Sequence, residues 1–169
     1  MDIQRIVSLF DSRLQTLTRL IDRATEHFGD NGFLTLRLVD DMLPLEKQIV
    51  FSCDQPRSFS QWVRGEEVSN HDVELTSADA ARDLVTATRD ALAAIDRDGT
   101  ELPARRRLAL GPSHYADLSG DEYVNDFLVP NFYFHLVTGY DILRANGVAI
   151  GKADYMAHLL DKVREAAPA

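Results

Sequence analysis

The sequence predicts an all-α protein: a four-helix bundle with a small β-hairpin or extended loop before the last long helix. Three observations support this class. Apolar residues recur at three- and four-residue spacing over long stretches, which is typical of amphipathic helices. Turn sequences rich in Gly, Asn, Asp and Pro separate these stretches. Residues 105–120 instead alternate apolar and polar side chains before Gly111-Pro112, as a hairpin does.

Size and composition limit the functions to consider. The 169 residues suit a single domain, and the net charge of −9 disfavours a nucleic-acid partner, which needs a basic face. No apolar run approaches the roughly eighteen residues that span a bilayer, and the chain does not open with a signal-peptide pattern. We therefore expect a cytoplasmic protein without a membrane partner. The single cysteine, Cys53, excludes an internal disulfide and is expected to be buried.

The first and third helices have the clearest periodicity. The first is expected over residues 2–28, followed by a glycine-rich turn and a short helical lead-in at residues 33–42. The third begins after a cap at Thr76 or Ser77 and continues until Asp98-Gly99 stops it.

The second helix is marked by prolines. Pro44 fits its first turn, where the missing N–H group has no consequence, and the helix is expected to end near Arg64. Pro56 lies inside it and predicts a kink or short break near Asp54–Gln55.

The fourth helix begins at a capping box, in which Ser119 is followed three residues later by Glu122. It is expected to run from about Gly120 to Asn146 and to bend at Pro130. A short last helix is expected over about residues 153–165.

Asn131 and His135 lie one turn apart on this fourth helix, which is otherwise apolar almost all round. His135 could be a hydrogen-bonded core histidine, and Asn131 could bond to carbonyls freed by Pro130. Alternatively, both side chains enter one cavity opposite Asp41 or Gln48 of the second helix. There a His beside a carboxylate could act as a general base, or a His, Asp and Asn could hold a metal weakly.

The fourth helix is apolar on more sides than the core of one chain can cover. A second subunit packed helix to helix would cover the remaining side. We therefore expect a homodimer through the helix containing Tyr133, Val137 and Tyr140, with Gly139 allowing a close approach.

Several segments resemble a family of unknown function, the domain of unknown function DUF1993. Pro130–His135 reads Pro-Asn-Phe-Tyr-Phe-His, and Tyr140–Gly147 reads Tyr-x-Ile-Leu-Arg-x-Asn-Gly. Ile150–Tyr155 reads Ile-Gly-Lys-x-Asp-Tyr, with Ala149 where the family has proline. Leu38–Ile49 contains the family's Asp-Met-x-Pro-Leu-x-x-Gln signature. The likeness covers most of the chain.

The resemblance implies a DinB/YfiT-like four-helix bundle. Many such bundles bind a divalent metal through three histidines, two of them at i, i+4 on the last long helix. Alignment on the family's Leu-Arg pair places His135 at one of these positions and Asn131 at the other, while the second helix offers Asp41 and Gln48 and no histidine. The resemblance therefore implies a pocket for a small molecule lined by Asp41, Gln48, Asn131 and His135.

The same substitutions disfavour zinc or nickel as a cofactor, and the sequence assigns no metal ligands. Two alternatives to a binding pocket stay open at this point. One is a degenerate metal-dependent enzyme of the thiol S-transferase or hydrolase type. The other is a structural or stress-related dimer without a ligand.

Overall fold

Long α-helices dominate the computed structural model, which describes residues 2–164. Its elements, in chain order, are α1 (Ile3–Phe28), a 3-10 turn (Gly32–Thr35), α2 (Leu45–Val63), α3 (Ala78–Ala93), β1 (Arg105–Ala109), β2 (Tyr115–Ser119), α4 (Gly120–Glu122), a π-helical segment (Tyr123–Leu128), α5 (Val129–Ala145), α6 (Lys152–Tyr155) and a 3-10 helix (Ala157–Lys162). The predicted all-α bundle with a small antiparallel hairpin is confirmed. No helix within residues 2–164 combines the length and the apolar character needed to cross a lipid bilayer.

The bundle is organised around α2, which packs against α3 and α5, while α1 packs mainly against α3. Phe10 of α1 joins the layers, because its ring centroid lies 6.0 Å from that of Phe59 in α2 and 5.3 Å from that of Phe132 in α5. All three rings are fully buried. Each such side chain contributes on the order of 1.5–3 kcal/mol of transfer free energy, so this cluster is a main link between the helices.

The third helix begins at the predicted cap and ends before the predicted stop. The Ser77 hydroxyl accepts a hydrogen bond from the Ala80 N–H group at 3.1 Å. The helix ends at Ala93, because Asp96 forms a local turn in which its carboxylate accepts the N–H groups of Asp98 and Gly99.

The second helix differs from prediction at both prolines. Pro44 precedes the first turn as an extended N-cap residue, and the lead-in is a single 3-10 turn followed by bends. Of the kink or short break predicted near Asp54–Gln55, the break is wrong, since α2 continues through Pro56 to Val63. Fifteen of the nineteen residues of α2 are buried, and this packing offsets the roughly 3 kcal/mol that an internal proline costs.

The fourth helix starts at the predicted capping box but changes helix type along its length. The Ser119 N–H group donates to the Glu122 carboxylate at 2.7 Å, and the Glu122 N–H group donates to the Ser119 hydroxyl at 3.3 Å. Before Pro130, the Val129 N–H group donates to the carbonyl of Val124, five residues back, as in a π-helix. A proline ring clashes with the carbonyl four residues earlier, and the wider turn relieves that clash. At the position of the predicted bend, the structure has a π-helical segment directly before the proline.

The predicted last helix is divided into α6 and a 3-10 helix that ends at Lys162. Glu165, its predicted final residue, lies outside the described residues.

In the hairpin, the Arg107 guanidinium donates to both carboxylate oxygens of Asp117, at 2.8 and 3.0 Å. One arginine of the basic run is thus neutralised within the hairpin.

Candidate functional site

Gln48 of α2 and His135 of α5 meet where these two helices pack. His135 Nδ1 lies 2.9 Å from Gln48 Oε1, and Gln48 Nε2 donates to the Leu43 carbonyl at 3.1 Å. Because a carbonyl oxygen can only accept, the contact with Leu43 requires the nitrogen of the amide, and the amide oxygen faces the imidazole. His135 Nδ1 therefore carries a proton and donates it to Gln48. In the neutral ring, Nε2 keeps its lone pair.

The second ring nitrogen of His135 is open. Nε2 makes no hydrogen bond to any residue between 2 and 164, and it is not among the buried atoms that lack a partner there. Burial lowers the pKa of this half-buried imidazole, and the negative charge of Asp54 partly opposes that effect. The ring is thus neutral at neutral pH. An oriented, neutral Nε2 can accept a hydrogen bond or a proton.

Two aromatic rings flank the imidazole. The centroids of the Phe51 and Phe134 rings lie 5.0 and 5.1 Å from that of His135. Phe51 is half-buried, whereas Phe134 is 57 % exposed. One turn further along α5, Gly139 is buried against Leu45, and a Cβ atom on it would lie 3.4 Å from the leucine side chain. Gly139 therefore serves the packing of α5 on α2.

The structure does not join Asp41 to this pair. Asp41 is exposed in a bend closed by the Met42 N–H group donating to Val39, and α2 begins only at Leu45. Asp41 therefore lies in the turn before α2, with its side chain exposed. No hydrogen bond or ion pair links it to another described residue. The sequence offered Asp41 or Gln48 as the residue opposite His135, and Gln48 is the one in contact with it.

Asn131 lies one turn before His135 and is half-buried. It makes no hydrogen bond within the described part of the chain, so the expected bond to carbonyls freed by Pro130 is not formed. Of five surface clefts on residues 2–164, none is lined by Asp41, Gln48, Asn131 or His135. The Gln48–His135 site is therefore not part of these five clefts, and the exposed ring of Phe134 lies beside it.

The sequence matches the family described as domain of unknown function (DUF1993) over residues 3–156. The chain belongs to the DUF1993 family. The fold of this DUF1993 protein is similar to the crystal structure of a DinB family member protein from Shewanella denitrificans, with a TM-score of 0.68 and 23 % sequence identity. The match covers 92 % of this chain and 96 % of that one. No curated protein matches the sequence.

The donor set of this DUF1993 protein does not fit a three-ligand zinc or nickel centre. Nowhere in residues 2–164 do three His, Cys, Asp or Glu side chains converge as ligands of one ion. His135 contacts the amide of Gln48, and Asn131, one turn earlier on α5, carries another amide. The Gln48 oxygen already accepts the His135 Nδ1–H group, which further weakens it as a ligand.

Sequence reasoning missed two residues that shape the site. Phe51 lies three residues after Gln48, so helical spacing alone places both on one face of α2. Asp54 carries no comparable signal. It is 1 % exposed because the loop after α2 covers it, and the path of that loop cannot be inferred from periodicity.

Proposed function

We propose that this DUF1993 protein binds a small organic molecule at the Gln48–His135 site, with His135 Nε2 accepting a hydrogen bond from that molecule. The observation that supports this proposal is that one ring nitrogen of His135 has a protein partner and the other has none. Nδ1 donates to the Gln48 side-chain oxygen at 2.9 Å, and the Gln48 amide nitrogen donates in turn to the Leu43 carbonyl. Nε2 has no protein partner within the described residues. Since Nε2 is not among the buried atoms, its lone pair can be reached by a ligand from solvent.

The neighbouring side chains indicate the class of ligand. Phe51 and Phe134 offer ring faces beside the imidazole, so the ligand should carry an apolar, preferably aromatic, part. It should also carry an O–H or N–H group to donate to Nε2. A phenol combines both features, and the neutral imidazole could act on it as a general base.

The test compares two probes that differ only in the donor. Phenol has an aromatic ring and an O–H group, whereas anisole has the same ring and a methyl ether. We expect phenol to give a saturable change in the ¹⁵N chemical shift of His135 Nε2, and anisole to bind about tenfold more weakly. Long-range ¹H–¹⁵N correlation spectra report the tautomer and the binding together.

Two variants distinguish binding at His135 from nonspecific binding to apolar surface. His135→Phe keeps an aromatic ring and removes Nε2, so it should abolish the preference for phenol over anisole. His114→Phe changes an exposed histidine of the hairpin and should keep that preference. Equal affinities of the wild-type protein for phenol and anisole, or a proton found on Nε2 in place of Nδ1, would contradict the proposal.

We also propose that two copies pair through the exposed side of α5 and so cover the open site. Phe134 and Val137, 57 % and 38 % exposed, form an apolar stripe on that side. The other two residues of the predicted contact are partly covered by their own chain: Tyr133 accepts a hydrogen bond from Arg13 at 3.0 Å, and Tyr140 packs on Tyr155. The proposed contact therefore depends mainly on Phe134 and Val137.

A further inference from the structure

The loop after α2 folds back over that helix and places His71 on Asp54. Asp54 Oδ1 accepts the His71 backbone N–H group at 2.7 Å and lies 2.8 Å from His71 Nδ1. Because a carboxylate can only accept, Nδ1 is the donor, and the two bonds fix the orientation of the ring. His71 Nε2 therefore points away from Asp54.

Holding His71 is the only hydrogen-bonding role of the Asp54 side chain within residues 2–164. Its other oxygen, Oδ2, is buried without a partner, and the residue is 1 % exposed. An aspartate buried in this way is unfavourable unless something compensates it, and His71 is the group placed to do so. A carboxylate bonded to one ring nitrogen commonly orients a histidine whose other nitrogen binds a ligand or transfers a proton.

His71 forms one wall of a cleft of about 130 Å³ between α2 and α3. The cleft is also lined by Arg57, Arg64 and Gln61 of the α2 side, and α3 contributes only uncharged residues. Arg57 forms no salt bridge with a described residue, whereas Arg64 pairs with Glu66 at 3.0 Å near the surface. Arg57 is thus the guanidinium group of this lining that has no acidic partner among the described residues, and no acidic side chain lines the cleft.

We propose that this cleft binds a phosphate-type oxyanion. Arg57 and Arg64 neutralise its charge, since guanidinium groups match the geometry of tetrahedral oxyanions. His71, oriented by Asp54, donates from Nε2 when the ring is protonated. His135 does not line this cleft, so the inference does not depend on the function proposed above.

The test uses sulfate, whose charge does not change between mildly acidic and neutral pH. We expect sulfate to shift the His71 Nε2 resonance in a saturable way. Inorganic phosphate should compete with sulfate.

Arg57→Gln should weaken sulfate binding by about tenfold, because it removes a charged donor. Arg97→Gln, which changes an exposed arginine outside the cleft, should leave binding unchanged. The proposal fails if both variants bind sulfate as the wild type does, or if both weaken binding equally. It also fails if His71 and the exposed His114 respond to sulfate alike, since that would be an effect of ionic strength.

Discussion

At the scale of single residues, His135 couples the site to pH. Burial lowers its pKa below that of the unfolded chain, so the folded protein binds fewer protons between the two pKa values. This imidazole therefore contributes stability that is complete above the unfolded pKa of about 6.5 and is lost as the pH falls towards the folded pKa. Asp54 acts in the opposite direction, because its negative charge favours the protonated ring.

Replacing Asp54 should move this titration further. Asp54→Asn removes the negative charge, so the pKa of His135 is expected to fall below its wild-type value. An NMR titration of the His135 ring protons measures the change. Asp72→Asn, which neutralises an exposed acid in the covering loop, should leave this pKa nearly unchanged. An unchanged pKa in the Asp54→Asn variant would show that the charge of Asp54 does not act on His135.

Cys53 should be chemically inert in the folded protein. Complete burial raises the pKa of its thiol to about 12; a hydrogen bond with Thr88 lowers that pKa and the charge of Asp54 raises it. Since the thiolate is the reactive form, a thiol reagent such as dithionitrobenzoate should modify Cys53 only as the protein unfolds. An exposed cysteine introduced as Ser113→Cys should react at once under the same conditions. Prompt modification of wild-type Cys53 would contradict its burial.

At the scale of elements, the sequence predicts helix positions well where neighbouring residues, such as a cap or an apolar stripe, determine them. The apolar stripe predicts α1 almost to the residue, and both the Ser77 cap and the Ser119 capping box are present. The break at Pro56 failed as a prediction because burial of α2 outweighs the local effect of one proline. The π-helical segment has no distinct composition, so its sequence does not reveal it.

The capping box should contribute measurably to the free energy of unfolding. Ser119→Ala removes the hydroxyl that accepts the Glu122 N–H group, and the free energy of unfolding is expected to fall by about 1 kcal/mol. Urea denaturation followed by circular dichroism measures the difference. Ser113→Ala, at the exposed turn of the hairpin, should change stability by less than about 0.5 kcal/mol. Equal stabilities for the two variants would show that the cap is not needed to start the helix.

At the scale of the whole molecule, the candidate site was predictable only in part. Gln48 and His135 are 87 positions apart, yet helical periodicity places both on inward faces, and α2 and α5 do pack together. His71 reaches Asp54 through an irregular loop, and no periodic pattern describes such a path. The sequence therefore predicts the meeting of two helices better than the contact between a helix and a loop.

The proposed dimer can be tested with a charge on the exposed stripe of α5. Val137→Glu should convert a dimer to a monomer, because pairing would bury the new carboxylate. Val73→Glu is the matched control, since Val73 is 40 % exposed and Val137 is 38 % exposed, but Val73 lies in the loop before α3. Light scattering after gel filtration gives the mass of each variant. A monomeric wild-type protein would remove the dimer from consideration.

The π-helical segment before Pro130 has a consequence for how this chain tolerates changes in length. A π-turn holds one residue more than an α-turn while the flanking helix keeps its phase. Loss of one residue from Tyr123–Leu128 would therefore tighten the coil and leave His135 facing Gln48. Loss of one residue between Pro130 and His135 would instead rotate the imidazole by about 100° relative to the preceding turn. Insertions and deletions in this long helix should thus be accommodated in one short stretch, upstream of the proline.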